Sequence, residues 1–591
     1  MTATANPTTA NPAAARPIDD APVHVDPRAR FQIFGAVLLA LFLAALDQTI
    51  VSTALPNILT DLRGNDLYTW VITVYLLTST VTGPLYGKLS DQFGRRPMLM
   101  IGIGLFLFGS LLSGLSQTMW QLILFRGIQG LGAGALFPIS LAVIGDLFSP
   151  RERGRYQGLF GGVFAVAMLI GPFLGGFLTD NISWHWIFFV NLPVGAVALV
   201  VIWRLLPKIS HPERVVSIDY LGAAVFTGAI VPIMLGLTNK QTGDWTDPAV
   251  GGLMLLGAVL LGAFLWIESR AKDPILHVGL FKNQTFTASV LATGLVSFGF
   301  FGGIIFIPRW FQFVAGSSAT ESGYQILPMM AGLMVGSIGS GQIVSRTGRY
   351  KWLVAAAMVI AGIGILLLTQ LRADTSVTTL WIWLAIMGLG IGPSMAVFTI
   401  IVQNAVPFRE MGVATSALTF FRQIGGSIGL AIAGTVFGSS LAAEIPKQLS
   451  AAGVPQQIVD SIPSGTFTGG EITNVGVDLG QQILSQAPAA ARPTLAPIIP
   501  NIVDGVHQAF SLAISYALWF GVVASALAAL IVIFGLPELP LRHQLGETVP
   551  ASQPGQPDQP DQPDQPAEAT QPGRRGRPGP PEGSPPVTAF D

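Results

Sequence analysis

Residues 87–97 read Gly87-Lys88-Leu89-Ser90-Asp91-Gln92-Phe93-Gly94-Arg95-Arg96-Pro97, a short charged segment between two long apolar runs. The glycines permit a tight turn, and Asp91 and the two arginines place opposite charges within reach of each other. The flanking runs, at about 68–87 and 97–116, have the length of about 20 residues that crosses roughly 30 Å of hydrocarbon. The segment therefore has the pattern of a loop that joins two membrane spans.

The composition of the whole chain also indicates a membrane protein. Of its 591 residues 51% are hydrophobic and 11% charged, and the mean hydropathy is +0.59, whereas soluble domains carry about 25% charged residues. A net charge of −1 offers no basic surface for nucleic acid. The chain has no Cys and six scattered His, so no disulfide, metal site or cofactor is expected.

Fourteen apolar segments are predicted to cross the membrane as helices, because in lipid each backbone polar group must be satisfied within its own segment. The predicted spans cover about 33–54, 68–87, 97–116, 119–145, 157–179, 186–206, 218–238, 248–267, 285–314, 322–344, 351–371, 377–402, 411–438 and 507–536. The predicted fold class is therefore an all-α polytopic membrane protein.

The distribution of Lys and Arg predicts that both termini are cytoplasmic. With the N-terminus inside, the opposite side receives few basic residues, namely Arg63, Lys240, Arg372, Lys447 and Arg492. Residues 1–30 lack the basic start and early apolar core of a signal peptide, so they are predicted to be a disordered cytoplasmic arm.

Two polar segments interrupt the helical pattern. Residues of about 440–505 are predicted to form a long external loop, which is either an exposed insertion or a docking element for an envelope partner. The Pro-rich tail, 537–591, contains a tandem Gln-Pro-Asp repeat at 556–564 and is predicted to be disordered and cytoplasmic.

A buried acid and a buried base stand in the first half of the chain. Asp47 lies in span 1, and Arg126 lies in span 4 with Gln129 three residues further on the same helical face. Both charges are expected on the order of 10 Å below the outer surface. They are natural partners: Asp47 stays ionised beside Arg126 and takes up a proton when separated from it. The alternative is a static structural ion pair.

The segment 87–97 resembles the signature loop of the major facilitator superfamily. The resemblance implies that Asp91 pairs near the start of span 13, and that Gly87, Gly94, Arg95 and Arg96 complete a latch between two helical bundles on the cytoplasmic side. A weaker copy, 341–349, carries Ser345 and Arg346 where an acid is expected, which is what an internal duplication predicts.

Two further motifs resemble the 14-helix branch of that superfamily, the drug:proton antiporter family 2. Span 5 contains Gly171-Pro172-Phe173-Leu174-Gly175-Gly176, similar to the antiporter motif, and 184–193 resembles the signature that enters span 6. The resemblance implies two pseudo-symmetric six-helix bundles, at 31–208 and 285–536, with two additional helices at 209–284. It places a cavity near the midplane between the bundles.

Candidate cavity residues carry polar groups or adaptable apolar surface: Gln129, Phe301, Met330, Phe421, Arg422 and Gln423. Arg422 either lines the cavity or binds a backbone carbonyl.

The predicted function is a proton-coupled antiporter, monomeric and in the cytoplasmic (inner) membrane, that exports small amphipathic or lipophilic compounds such as drugs and dyes. The proton gradient is its expected energy source. The alternative cargo is an endogenous lipid, siderophore or secondary metabolite. No cluster of nucleophiles, acids or metal ligands suggests an enzyme.

Overall fold

The computed structural model describes residues 26–62, 68–207, 219–240, 243–271, 274–275, 278–407, 410–461, 480, 492 and 496–541. Within these ranges the chain forms helices and turns and no strand. Thirteen of the helices are long and apolar enough to cross a membrane. This part of the chain is therefore the all-helical membrane protein that its composition predicts.

Fourteen principal helices, α1–α14, follow the predicted spans in order. Their bounds are α1 Pro27–Leu62, α2 Tyr68–Phe93, α3 Arg95–Gly114, α4 Met119–Leu147, α5 Leu159–Asn181, α6 Asn191–Leu205, α7 Tyr220–Asn239, α8 Leu253–Glu268, α9 Gln284–Phe313, α10 Leu327–Thr347, α11 Lys351–Leu368, α12 Val377–Ala405, α13 Met411–Ala451 and α14 Ile499–Leu530. Short helices precede several of them, among which Pro150–Gln157 leads into α5, Trp186–Phe189 into α6 and Ala319–Gln325 into α10.

The helix that falls outside the thirteen is α2, which is more polar than the rest. Its hydroxyls are satisfied inside the helix: Thr78 Oγ1 donates to the carbonyl of Val74 at 2.8 Å, and Thr82 Oγ1 donates to that of Thr78 at 2.8 Å. Such back-bonding lets a polar helix exist among apolar ones. The helix α2 occupies the position of the second predicted span and packs against α4 and α13.

The same helix pairs recur in the two halves of the chain. In the first half α1 packs on α5 and α6, and α4 packs on α2 and α3. In the second half α9 packs on α13 and α14, and α12 packs on α10 and α11. The contacts between the halves follow the same symmetry. The second helix of each half contacts the fifth helix of the other, since α2 contacts α13 and α10 contacts α5. Twelve of the fourteen principal helices in the described residues therefore form two pseudo-symmetric bundles of six.

The helices α7 and α8 pack mainly on each other, and α7 also contacts α2 and α13. Its Phe226 ring lies 5.3 Å from that of Phe420 in α13. These are the two additional helices, and they lie where the bundles meet.

The loop expected at 440–505 is shorter than predicted. The helix α13 runs for 41 residues to Ala451, about 60 Å at about 1.5 Å per residue and twice the roughly 30 Å hydrocarbon thickness. The helix α14 begins at Ile499, and Leu449, Ile502 and Val506 are buried where the two helices pack. The sequence prediction stopped both helices at the bilayer, whereas their mutual packing carries them beyond it.

The start of the predicted disordered tail is held against the second bundle. The Tyr350 hydroxyl donates to the carbonyl of Pro537 at 3.1 Å and accepts from the amide of Leu539 at 2.8 Å. The Glu538 carboxylate accepts from the backbone amide of Tyr350 at 2.9 Å. Residues 542–591 and 1–25, where disorder is predicted, lie outside the described residues.

Candidate functional site

The centre of the first bundle holds a buried ion pair. A guanidinium nitrogen of Arg126 in α4 lies 2.5 Å from Asp47 Oδ2 in α1, and the side chains are 2% and 0% exposed. An uncompensated charge in this environment is strongly destabilising, whereas a paired and hydrogen-bonded one is tolerated. The structure thus brings together the two charges that the sequence proposes as a coupling pair.

Two amides complete the surroundings of the Asp47 carboxylate. Gln129 Nε2 donates to Asp47 Oδ1 at 2.8 Å, and Gln129 Oε1 accepts from Arg126 at 2.9 Å. Asn191 Nδ2, from the start of α6, lies 3.4 Å from the same Oδ1 and donates to Ser110 Oγ at 3.0 Å. Gln129, Asn191 and Ser110 are fully buried. Gln129 therefore belongs to the ion-pair site, although the sequence placed it in the substrate cavity.

Aromatic rings and a backbone carbonyl hold the other side of the guanidinium. The Arg126 Cζ atom stands 4.1 Å from the centre of the Tyr75 ring and 6.0 Å from that of Phe188. Its Nε donates a weak hydrogen bond to the Val71 carbonyl at 3.4 Å. Cation–π contacts strengthen when they are desolvated, so these rings and the carbonyl help to hold the arginine in this position.

A second charged cluster stands at the end of α2. Arg95, the first residue of α3, bonds Asp91 at 2.5 Å and Asp146 of α4 at 2.9 Å, and it donates to Ser90 Oγ at 2.7 Å. All three charged side chains are nearly buried. We call this end of the molecule the latch face.

Asp91 joins the two bundles at the latch face. Its two carboxylate oxygens accept from the amides of Gly412 (3.1 Å) and Val413 (2.9 Å) in the first turn of α13. A negative charge there satisfies unpaired amides and favours the positive end of the helix dipole. This is the position that the resemblance implied for Asp91.

The remaining latch residues have different tasks. A Cβ added to Gly87 would lie 2.0 Å from Ser416 Oγ and 2.8 Å from the carbonyl oxygen of Gly412, so only glycine fits this crossing. Gly94 has a φ of 95° and makes the turn between α2 and α3. Arg96 donates to the carbonyl of Leu206 at 3.3 Å, so it ties α3 to the end of α6 rather than to the other bundle.

An uncharged contact joins the bundles on the other side of the latch face. Gln157 Nε2 donates to Gln403 Oε1 at 2.8 Å, and Gln403 Nε2 donates to the carbonyl of Leu141 at 3.1 Å. Ser337 Oγ of α10 donates to the carbonyl of Gly158 at 3.0 Å. The five residues that supply these groups are buried, so separating the bundles here would break the bonds and leave polar groups unpaired.

The Gly-Pro motif of α5 packs on the helix that carries Asp47. A Cβ on Gly171 would lie 2.0 Å from Thr49 Oγ1, and one on Gly175 would lie 2.9 Å from the Ile50 carbonyl oxygen. A Cβ added to Gly323 of the second bundle would lie 3.4 Å from Pro172 Cβ, so Pro172 faces that bundle, while Gly176 is partly buried. The motif therefore allows close packing of α1 and α5 next to the coupling pair.

A narrow cleft lies between α2, α4 and α13. It is lined by Ser79, Thr80, Gly83, Pro84, Ala133, Gly134, Phe137, Pro138, Ser416, Thr419, Phe420 and Gln423. Thr80 Oγ1 donates to Gln423 Oε1 at 2.7 Å across it. Of the residues predicted for the cavity, Gln423 is the one that lines this cleft.

The other predicted cavity residues are not among those that line this cleft. Met330 is 2% exposed in the core of the second bundle, Phe301 packs beside Gly426, and the Phe421 ring lies 6.0 Å from that of Phe281. Arg422 donates to the Ser394 carbonyl at 3.4 Å, which is the backbone-carbonyl alternative that the sequence left open. The composition of a span does not reveal which side of the helix faces the cleft, so the sequence alone does not separate lining residues from packed ones.

Sequence reasoning did not assign roles to several residues of these sites. Asn191 lies in the 184–193 signature, but its contact with Asp47 depends on how α1 and α6 pack. Tyr75 and Gln403 are polar groups in apolar runs, and such residues are the signal that could have found them. Gln157 ends the charged segment 150–157, so its sequence surroundings give no such signal. Asp146 precedes a loop and resembles an ordinary end-of-helix charge.

Two six-helix bundles, joined at one face by hydrogen bonds and with a buried ion pair within one bundle, are the architecture of a membrane transporter. The chain belongs to the Major Facilitator Superfamily, since the model of that family matches residues 37–430.

Similar proteins agree with this assignment. The chain is 36% identical over 493 residues to the multidrug transporter protein MdtP of Bacillus subtilis (strain 168), covering 81% of this chain and 90% of that protein. It is 35% identical to multidrug resistance protein 3 of the same organism over 85% of this chain and 94% of that protein. The proton:xylose symporter XylE shares the fold at 14% identity with a TM-score of 0.54, covering 88% of this chain and 98% of that chain.

Proposed function

We propose that this protein is a proton-coupled antiporter that exports small amphipathic or lipophilic compounds across the cytoplasmic membrane. The observation that carries the proposal is the Asp47–Arg126 pair, fully buried and surrounded by Gln129 and Asn191. Relatives at 35–36% identity that are named for multidrug transport or resistance support the substrate class. The proton gradient is the energy source, with no cofactor, and the working unit is a monomer.

The pair supplies a reason for coupling. While Asp47 accepts bonds from Arg126 and Gln129, its charged form is stabilised. A rearrangement of α1 against α4 that removes these donors leaves a carboxylate in a dry site, where it binds a proton instead. Proton binding at Asp47 and substrate binding in the cleft then favour different conformations, which is the condition for antiport.

The latch face is assigned to the cytoplasm, because basic residues concentrate at this end of the helices. Asp91 on the first turn of α13 and the Gln157–Gln403 bond then hold the cytoplasmic side closed. Substrate enters when these contacts separate and leaves when they re-form. Both termini are cytoplasmic in this arrangement.

Transport in proteoliposomes tests the proposal. The probes are cationic ethidium, neutral Nile red and a dansyl-labelled undecanoic acid, each driven by an imposed pH gradient. The expected result is gradient-dependent movement of at least one probe by the natural protein and none by Asp47→Asn. Movement that ignores the gradient refutes proton coupling, and a folded protein that moves none of the probes refutes export of such compounds.

A second candidate cargo is an endogenous lipid, siderophore or secondary metabolite delivered to an envelope partner. The extension of α13 and α14 beyond the bilayer favours it, because this helical pair offers a surface outside the membrane. Replacing residues 462–495 by a short Gly/Ser linker distinguishes the candidates. Simple efflux of the probes survives the replacement, whereas delivery to a partner is lost.

A further inference from the structure

Arg422 lies halfway along the membrane-crossing part of α13. Eleven residues separate it from Met411, the first residue of α13, which places it about 16 Å into a hydrocarbon layer of roughly 30 Å. It forms no salt bridge with an Asp or Glu of the described residues, and its guanidinium donates one long hydrogen bond, to the carbonyl of Ser394 at 3.4 Å. A charge at this depth is costly and by default indicates a functional site.

The guanidinium points into the protein and not into lipid. Ser394 is 2% exposed, and every residue of α12 from Gly390 to Asn404 is buried. A group within hydrogen-bonding distance of that stretch is enclosed by helices. Arg422 is nevertheless only partly buried, so part of its side chain remains accessible.

Arg422 stands beside the cleft between α2, α4 and α13. Thr419, which precedes it by one helical turn and shares its side of α13, lines the cleft, as does the next residue, Gln423. The other lining groups are hydroxyls, apolar side chains and glycines, and none carries a charge. The acid of α1 contributes no free negative charge, because Asp47 is neutralised by Arg126.

Arg422 is thus a positive charge beside an uncharged cleft in a medium of low polarity. Low-dielectric walls extend the field of such a charge, so the cleft attracts anions and repels cations. Guanidinium binds carboxylate, phosphate and sulfonate groups through two parallel hydrogen bonds, and the single long bond to Ser394 leaves most of its donors available. The apolar lining suits the hydrophobic part of an amphipathic molecule.

We propose that Arg422 binds the acidic head group of an amphipathic substrate, a carboxylate, phosphate or sulfonate, while the apolar part of that substrate occupies the cleft. The inference rests on the proposed export function and names the class of its cargo.

Binding to the natural protein in phosphatidylcholine nanodiscs is the first test. Three probes share one dansyl-labelled eleven-carbon chain and end in a carboxylate, its methyl ester or an amine. The expected affinity for the acid is about 10- to 100-fold above that for the ester, the range of a hydrogen bond to a charged group, and the amine binds most weakly. Equal affinity for acid and ester, or a preference for the amine, overturns the inference.

Variants locate the effect at Arg422. Arg422→Gln is expected to lower the affinity for the acid to that for the ester and leave the ester unchanged, while Arg422→Lys retains part of the preference. The matched control is Arg309→Gln, which removes an exposed arginine near the end of α9 and leaves all three affinities unchanged. If a monodisperse Arg422→Gln protein still prefers the acid, Arg422 has only a structural role and the inference is wrong. If this variant does not fold, Arg422→Lys and the natural protein decide.

Two further measurements identify the source of the bound anion and distinguish failure of this inference from failure of the proposed function. If phosphatidylglycerol added to the nanodiscs displaces the acid from the natural protein, the recognised anion includes a lipid head group; if it does not, the anion is that of a soluble substrate. If the natural protein transports ethidium or Nile red with the proton gradient but binds the acid and the ester equally, the inference is wrong and the proposed function stands. A protein that neither binds nor moves any probe removes both.

Discussion

The carboxylate of Asp47 and the guanidinium of Arg126 meet at 2.5 Å in the interior of the first bundle, with 0% and 2% of their side chains exposed. The cytoplasmic latch proposed at Asp91 lies at the end of the helices, whereas this pair lies deep within them. We therefore assign proton binding to Asp47 and control of the latch face to Asp91, and a substitution at one of these residues leaves the contacts of the other in place.

Gln129→Leu tests the surroundings of the carboxylate. The substitution removes a donor that lies 2.8 Å from Asp47 Oδ1. A hydrogen bond to a charged group contributes about 1.5–3 kcal/mol, which corresponds to about 10- to 100-fold in rate. The initial rate of gradient-driven transport in proteoliposomes is expected to fall by a factor in that range. The exposed Gln342→Leu is the control, and an unchanged rate in Gln129→Leu contradicts the assignment.

Gly87→Ala tests the close crossing of α2 and α13. Its Cβ would meet Ser416 Oγ and the backbone of Gly412, and overpacking of this kind costs about 1–3 kcal/mol. Because this overpacking lies in a contact that joins the bundles at the closed latch face, the conformational equilibrium is expected to shift toward opening there. Because the chain has no Cys, spin labels can be placed directly at Phe93→Cys and Thr347→Cys, both exposed at this face.

The expected readout is a larger population of long distances between these labels. Gly35→Ala is the matched control, because no atom lies within 4 Å of the added carbon. If the distribution of label-to-label distances in Gly87→Ala is identical to that in the control, the crossing does not limit opening of the latch face.

Gln403→Leu tests the uncharged contact. The leucine cannot bond Gln157, the Leu141 carbonyl or Thr415 Oγ1, all of which Gln403 contacts. Loss of these bonds leaves the partner groups unsatisfied in the closed state, at about 1–3 kcal/mol. The same pair of spin labels is expected to report opening, with Asp91 and Arg95 intact. If substitutions at Asp91 open the latch face but Gln403→Leu does not, the amide contact does not help to keep this face closed.

Tyr350→Phe tests the segment 536–541 that the sequence assigned mainly to a disordered tail. The substitution removes bonds to Pro537 and Leu539, so the free energy of unfolding is expected to fall by about 1–3 kcal/mol. Burial raises the pKa of Tyr350 to about 12, whereas an unfolded tyrosine titrates near 10. The contribution of Tyr350 to the free energy of unfolding is therefore present in full below about pH 10 and is lost as the pH rises through about 12.

The measurement is thermal unfolding of the detergent-solubilised protein. Tyr220→Phe, at a 75% exposed position, should leave the midpoint unchanged. If Tyr350→Phe unfolds at the same temperature as Tyr220→Phe at neutral pH, the docked segment adds no stability.

The helices were predictable because apolar length and the positions of charges repeat fourteen times along the chain. The partners Asp47 and Arg126 were predictable because an acid and a base at matched depth are rare in a membrane. The ends of α13 and α14 were missed because their packing on each other, and not their apolarity, extends them beyond the bilayer. The roles of Asn191 and Gln403 were missed because they depend on which faces of distant helices meet.

Proton release on substrate binding tests the central claim most directly. The detergent-solubilised protein is mixed, in weakly buffered solution with a pH indicator, with whichever probe it transports. The account predicts that the natural protein releases protons on binding, whereas Asp47→Asn binds the probe and releases none. Equal release from both proteins, or binding to the natural protein without any release, would contradict the assignment of Asp47 as the group that exchanges a proton for substrate.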